Sequence, residues 1–138
     1  MANPNIVNVT TINGTTAYVL PASTAVSVAW TYADPSTSGS VALTGLTPAS
    51  GTVNKINNIV VSNTTSSAAN CSIAISNNPT YASGTAYYIA YQISVPPNAS
   101  LIVVDKTTAF YVTQFQSVGV ISGTSSALTY VASFEAIT

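Results

Sequence analysis

The chain has 138 residues, the size of one domain, and it contains two basic residues, three acidic residues and no histidine. Charged residues make up 4 % of the chain, against about 25 % in typical soluble domains, so its polar surface must come from 20 Thr, 19 Ser and 12 Asn. Two basic residues cannot neutralise a run of phosphates or hold an anionic membrane, which excludes nucleic acid and membrane surfaces as electrostatic partners.

The N-terminal segment "MANPNIVN" predicts an extended arm over residues 1–8, because Pro4 and the neighbouring asparagines discourage a regular start. It has no basic region followed by a long apolar run. We therefore expect neither a secretory signal nor a membrane span.

Alternation of apolar and polar residues with a period of two, rich in β-branched side chains, dominates the rest of the sequence. It predicts strands, in chain order, at Ile6–Val9, Thr16–Leu20, 24–32, Lys55–Ser62, Cys71–Ser76, 86–95, Leu101–Val104, Phe110–Thr113, Val118–Ser122 and 127–134. No segment has a helical period. The sequence predicts one all-β domain over 1–138, an antiparallel β-sandwich of jelly-roll type with eight to ten short strands.

The alternation also predicts which side chains form the core. In the strand at 24–32, Val26, Val28, Trp30 and Tyr32 share a face, with Trp30 as the core anchor. In the last strand the shared face is formed by Leu128, Tyr130, Ala132 and Phe134. Cys71 alternates with Ile73 and Ile75 and is expected to be a small buried core residue rather than a disulfide partner or a reactive thiol.

The strand at 86–95 is rich in tyrosine. Its alternation places Tyr87, Ile89, Tyr91, Ile93 and Val95 on one face. We expect Tyr87 and Tyr91 to pack in the core, and Tyr88 to point outward or into a subunit interface, where tyrosine is common.

Residues 33–52, "ADPSTSGSVALTGLTPASGT", predict a long loop or insertion because they are rich in Ser, Gly, Thr and Pro. A short strand at Val41–Leu43 fits inside it. Further along, Asp105 and Lys106 stand between two apolar runs, and an Asp followed by Lys-Thr-Thr is typical of a turn. We predict that they mark a solvated reversal of the chain.

The residues that catalysis requires are scarce. Without histidine the usual general base and the commonest metal ligand are missing. Two of the three acids, Asp34, Asp105 and Glu135, could meet as a glycosidase-like pair, but Asp34 and Asp105 stand in turn sequences, which favours solvated turn residues. Glu135 is expected to be an outward edge charge or an interface partner of Lys55 or Lys106. We predict no catalytic residue, no metal site and no cofactor.

Several longer stretches resemble small β-sandwich structural proteins of tailed bacteriophages, especially those infecting marine cyanobacteria. The stretches are "MANPNIVNVTTINGTTAYVL", "KINNIVVSNTTSSAANCSIAI", "ISVPPNASLIVVDKTTAFYVT" and "SVGVISGTSSALTYVASFEAI". They cover about four-fifths of the chain, and residues 33–52 look like an insertion. Where such proteins carry an acidic, glycine-containing turn, this chain reads "TQFQS" at 113–117, so Phe115 is expected to be exposed.

The resemblance implies a virion protein without catalysis: a capsid decoration (cement) protein bound to the major capsid protein lattice, as a homotrimer. The residues expected to contact partners are Asn3, Pro4, Asn5, Ile6, Val41, Leu43, Tyr88 and Phe115. One alternative is a neck, tail or fibre component of the virion. Another is a carbohydrate-binding adhesin module that uses the tyrosines between Tyr81 and Tyr91.

Overall fold

The structure, a computed structural model, describes residues 8–138. It contains ten strands: β1 Ile12–Val19, β2 Ala29–Ala33, β3 Ser40–Thr44, β4 Val53–Asn63, β5 Ala69–Ser76, β6 Ala86–Val95, β7 Ser100–Val104, β8 Phe110–Val112, β9 Ser117–Ser122 and β10 Leu128–Ile137. A single 3-10 turn at Tyr81–Ser83 precedes β6. Of the strand predicted at Ile6–Val9, the described residues Asn8 and Val9 belong to no strand.

Every strand pair is antiparallel, and the strands form two sheets. The large sheet has the order β3-β2-β1-β10-β4-β7, with β8 also paired to β4, and the small sheet has the order β6-β5-β9. The prediction of an all-β sandwich is confirmed, at the upper end of the predicted number of strands.

The core lies between the two sheets. On the regular strands it takes every second side chain, because successive side chains point to opposite faces of a sheet. On β10, Leu128, Tyr130, Ala132 and Phe134 are buried as predicted, and the hydroxyl of Tyr130 donates to the carbonyl of Ile121 on β9 at 2.6 Å. Burial is the first cause that raises the pKa of this phenol. The buried tyrosine therefore joins the sheets through a satisfied hydrogen bond.

Trp30 and Cys71 are both buried, as the sequence predicts. The indole N–H of Trp30, on β2 of the large sheet, donates to the carbonyl of Val118 on β9 of the small sheet at 3.1 Å. Cys71 lies on β5, and burial raises the pKa of its thiol. Trp30 is thus a second hydrogen-bonded link between the sheets.

The segment 33–52 is only partly irregular. It contains β3, which pairs along its whole length with β2 and includes the short strand predicted at Val41–Leu43. After β3 the chain turns through Gly45 and Leu46, both with positive φ. The carbonyl of Gly45 then accepts the N–H of Val118 at 2.7 Å. This segment therefore attaches the edge of the large sheet to the small sheet.

The chain does not reverse at Asp105 and Lys106, so that prediction is wrong. β7 and β8 both pair antiparallel with β4, which means that they run in the same direction along one edge. Residues 105–109 leave the sheet between them; we call this segment the edge loop. Two apolar runs around a turn are typical of a hairpin, but both runs here find the same neighbour.

The turn chemistry predicted for Asp105 is nevertheless present. Its carboxylate Oδ1 accepts the hydroxyl of Thr107 at 2.6 Å and the backbone N–H of Thr107 at 2.9 Å. The backbone N–H of Thr108 donates to the carbonyl of Asp105 at 3.1 Å. The aspartate thus stabilises a compact turn at the start of the edge loop.

We expect the hydroxyl of Thr107, followed by its backbone N–H, to hold the pKa of Asp105 below the ordinary value of 3.8. Because the folded pKa is the lower one, the stabilisation by this carboxylate is complete above the unfolded pKa. It is lost as the pH falls through the folded pKa. In a carboxyl-carbon NMR titration, Thr107→Val should raise the pKa of Asp105.

Asp34 is the internal control for this titration, because Ser36 is the first cause that lowers its pKa. The titration of Asp34 should be the same in wild type and Thr107→Val. An unchanged pKa of Asp105 in the variant would show that the hydroxyl does not stabilise the ionised form.

Candidate interaction surfaces

A cleft of about 800 Å³ opens on the core side of the large sheet. The small sheet has three strands and cannot cover the whole inner face of a seven-stranded sheet. Residues 48–52 cover only part of the remainder. The cleft is lined by Asn13, Gly14, Thr15, Thr16, Tyr32, Ala33, Pro35, Leu43, Pro48, Ala49, Thr52, Asn54, Phe134 and Ala136.

The cleft combines apolar and uncharged polar groups. Tyr32, Leu43 and Phe134 supply large apolar side chains, and no charged residue of the described chain lines it. The amide of Asn54 donates to the carbonyl of Leu46 at 2.9 Å, which fixes the wall formed by the segment after β3. Because burying an unpaired charge is costly, this cleft suits an uncharged group.

A group of four tyrosines, Tyr81, Tyr87, Tyr88 and Tyr91, lies on and beside β6, and we call it the tyrosine surface. Tyr87 and Tyr91 are each 60 % exposed, so the prediction that they pack in the core is wrong. The causes differ. The register between β5 and β6 shifts on both sides of Ile73, which places Ala90 opposite Ile73 and moves Tyr91 to the other face of β6. Tyr87 stays in register opposite Ile75 and is exposed on an edge strand. The extra residues on β6 break the alternation that the sequence suggested.

The bulges bring Tyr88 and Tyr91 together. Their ring centroids are 4.8 Å apart and their planes meet at 69°, an edge-to-face arrangement. Tyr88 is 48 % exposed, in agreement with the prediction that it points outward. On β6 only Ala90 and Val95 are buried. This strand therefore presents most of its apolar surface to solvent.

Tyr81 is held against the outer face of the small sheet. Tyr88 pairs with Ala74, and Ala74 pairs with Gly119, so small residues stand beside Tyr88 in one row. A Cβ on Gly119 would come within 2.6 Å of the Tyr81 ring. Burial, followed by the neighbouring Tyr88, raises the pKa of Tyr81. Gly119 therefore leaves the space that the Tyr81 ring occupies.

The remaining residues predicted to contact partners lie in three places. Asn3, Pro4, Asn5 and Ile6 lie outside the described residues. Val41 and Leu43 are half-buried on β3, and Leu43 packs against the core. Phe115 is 58 % exposed, as predicted, in the turn between β8 and β9.

The structure does not bring Tyr88, Phe115 and β3 into one patch. The hydroxyl of Thr47 donates to the carbonyl of Gln116 at 2.7 Å, which ties the Phe115 turn to the segment after β3. Tyr88, in contrast, lies on β6, which β5 separates from β9 and that segment. The described residues thus form two separate candidate surfaces, one near the cleft and one around the tyrosines.

The three acids lie on different elements: Asp34 in the turn after β2, Asp105 in the edge loop and Glu135 on β10. Glu135 stands directly opposite Lys55 on β4. Lys55, one of the two lysines predicted as its interface partner, is therefore a cross-strand neighbour within the same sheet. Within residues 8–138 no group of three or more His, Cys, Asp or Glu side chains is arranged to hold a metal ion. In the same part of the chain no helix has the length and apolar character to span a membrane.

Comparisons of the chain with protein-family models, with curated proteins and with solved structures give no match.

Proposed function

We propose that this chain is a non-enzymatic structural protein of a tailed-phage virion, a capsid decoration protein that binds the major capsid protein lattice. The observation that supports this best is the amount of large apolar side chain left in solvent on an almost uncharged protein. The exposed residues are Ile12, Tyr18, Leu20, Val26, Tyr87, Tyr88, Ile89, Tyr91, Ile93, Ile102, Tyr111 and Phe115. Five of them, Tyr87, Tyr88, Ile89, Tyr91 and Ile93, lie on the single strand β6, and contiguous exposed apolar patches on soluble domains are typical of protein interaction surfaces.

Charge supports the same proposal. The formal net charge is −1, so electrostatic repulsion does little to keep copies apart or away from a neutral partner. A decoration protein must bind many equivalent positions, and it acts by burying surface rather than by chemistry. In the proposal a homotrimer contacts neighbouring capsomers through residues 3–6, β3, Tyr88 and Phe115, adding strand-edge hydrogen bonds.

The location on the virion is tested by immunogold labelling of intact virions with an antibody to this chain. Label spread over the head is the expected result. Label confined to the neck or tail would replace decoration by the alternative, a neck, tail or fibre component. Absence of label from every part of the particle would contradict a virion role.

We expect Phe115→Ala to weaken binding to undecorated capsids by about tenfold or more, because exposed aromatic anchors dominate many interfaces. Binding is measured by co-sedimentation over a range of protein concentrations. Tyr111→Ala is the matched control, since Tyr111 is also an exposed aromatic, at 45 %, but lies on β8 outside the proposed contacts. Equal binding by both variants and wild type would remove Phe115 from the interface.

Carbohydrate binding is the second candidate, and the edge-to-face pair of Tyr88 and Tyr91 favours it. Aromatic rings with neighbouring uncharged hydroxyl and amide groups can stack on neutral sugars. If this function holds, a glycan array should show binding that Tyr88→Ala abolishes and Tyr18→Ala, at another exposed tyrosine, leaves intact. A decoration role alone predicts no glycan signal from the wild-type protein.

A further inference from the structure

Two sheets have four edges, and the edge formed by β9 is closed by other parts of the chain. Ser27 and Val120 exchange two backbone hydrogen bonds, at 2.8 and 2.9 Å. The carbonyl of Gly45 accepts the N–H of Val118, and the indole of Trp30 binds the carbonyl of the same residue. These bonds leave β9 little backbone with which to pair a further strand.

Two other edges carry features that oppose pairing with a further strand. On β6 the register shifts twice, and Gln92 has a positive φ of 50°. The edge made of β7 and β8 is interrupted by the edge loop, which places Asp105 and Lys106 beside it. Bulges and charges at sheet edges are two of the ways in which proteins avoid unwanted strand addition.

The fourth edge, β3, has none of these features. It pairs with β2 without a shift of register and contains no charged residue and no proline. Two backbone hydrogen bonds flank the paired stretch in the same register: Gly45 N–H donates to the Val28 carbonyl, and Asp34 N–H donates to the Gly39 carbonyl. Because hydrogen-bonded residues alternate along an antiparallel pair, Val41 and Leu43 are the residues of β3 that bond to β2. The backbone groups of Ser40 and Ala42 consequently point away from the sheet.

We propose that β3 pairs antiparallel with β3 of a second copy of this chain, about a two-fold axis through Ala42. In this register the two Ala42 residues exchange N–H···O bonds, and Val41 of one copy lies opposite Leu43 of the other. Bonding centres on Ala42, because the carbonyl of Thr44 already accepts the N–H of Thr47 at 3.2 Å. The two large sheets then form one continuous sheet.

The residues of β3 fit a second copy because they are self-complementary. With Ala42 opposite Ala42, Ser40 of one copy faces Thr44 of the other. The same kind of hydroxyl pair joins neighbouring strands elsewhere in this sheet, at Thr16–Ser133 (3.4 Å) and Ser62–Ser100 (2.9 Å). The strand carries no charge that a second copy would repel.

The cleft adds a second reason for pairing at this edge. Leu43, on β3, and Tyr32, on the adjacent β2, both line the cleft, which therefore reaches the open edge. A second copy on this edge would extend the inner faces of both sheets and cover apolar side chains of the cleft. This pairing does not depend on the decoration role, but it occupies the strand edge that would otherwise bond to capsomers. With the expected trimer it would join neighbouring trimers, and the contacts to capsomers would come from residues 3–6, Tyr88 and Phe115.

The test is the molar mass of the full chain, measured by light scattering during size-exclusion chromatography over a range of concentrations. Wild type should form an assembly whose mass Ala42→Pro reduces to half, because proline removes the central edge donor without removing a bond to β2. Far-UV circular dichroism checks that the variant retains its strands. A wild-type monomer at every concentration, or a folded Ala42→Pro variant with wild-type mass, would overturn the proposal.

Cross-linking keeps the proposal testable if Ala42→Pro does not fold. Ala42→Cys treated with a short bismaleimide should give a covalent dimer, because the two-fold axis places both cysteines side by side. Thr107→Cys, on the interrupted edge, is the matched control and should remain monomeric; the native Cys71 is buried and should not react. No excess of dimer from Ala42→Cys over Thr107→Cys would also overturn the pairing.

Discussion

Trp30→Ala is expected to lower the free energy of unfolding by about 3 to 5 kcal/mol, the range for truncating a large buried aromatic residue. Trp30 is fully buried and joins the two sheets through its hydrogen bond to Val118. Alanine would leave a cavity between the sheets and a buried carbonyl without its partner. Since domains of this size are stable by only about 5 to 15 kcal/mol, the variant should lose a large part of its stability.

Urea unfolding followed by far-UV circular dichroism measures this loss, because the variant has no tryptophan whose fluorescence could be followed. Trp30→Phe separates the two causes: it keeps most of the packing and removes the indole N–H. We expect it to cost about 1 to 3 kcal/mol, the range for an unsatisfied buried group. Equal stability of Trp30→Ala and wild type would show that the sandwich does not depend on this link.

Gly45→Ala is expected to destabilise the protein by about 2 to 5 kcal/mol, from two separate costs. Gly45 has a φ of 66°, and a left-handed conformation costs a residue with a side chain about 1 to 2 kcal/mol. Its new Cβ would lie 2.6 Å from the Cβ of Ser117, and overpacking costs about 1 to 3 kcal/mol. Relief of the clash would pull apart the Gly45–Val118 hydrogen bond that closes the edge of β9.

Gly14→Ala is the matched control for this substitution. Nothing lies within 4 Å of the Cβ it would add on β1. Gly14→Ala should leave the free energy of unfolding unchanged or raise it by up to about 1 kcal/mol, because alanine lowers the conformational entropy of the unfolded chain. Both variants are compared by urea unfolding, and similar stabilities would mean that neither the strain nor the clash at Gly45 is real.

Sequence alone predicted the burial of side chains where burial depends on residues that are neighbours along the chain. From Leu128 to Glu135 the residues of β10 follow the period of two, so the buried face of that stretch could be identified from the sequence. Trp30 and Cys71 were also placed correctly, because a large aromatic residue or a small apolar one within an alternating run has few alternatives to the core.

The failures came from features that depend on the pairing partner. The alternation around Tyr87 and Tyr91 is regular in sequence, yet bulges against β5 turn Tyr91 to solvent, and Tyr87 is exposed because β6 is an edge strand. Likewise Asp105 has correct turn chemistry, but only β4 determines whether the chain reverses there or continues along the same edge. The cleft escaped prediction because it results from the unequal widths of the two sheets.

The edge loop also has a practical consequence for engineering. Val104 at the end of β7 pairs with Ile59, and Phe110 at the start of β8 pairs with Ile56. Two residues of β4 lie between these two pairs, whereas five residues of the edge loop lie between them on the other side. The extra residues already lie outside the sheet, and the strands on either side of them both pair with β4. Extra residues between Thr108 and Ala109 would therefore follow the turn that Asp105 holds, and would lengthen the loop rather than shift the register. An epitope or a fluorophore-binding peptide inserted there would extend into solvent while the sandwich kept its strands.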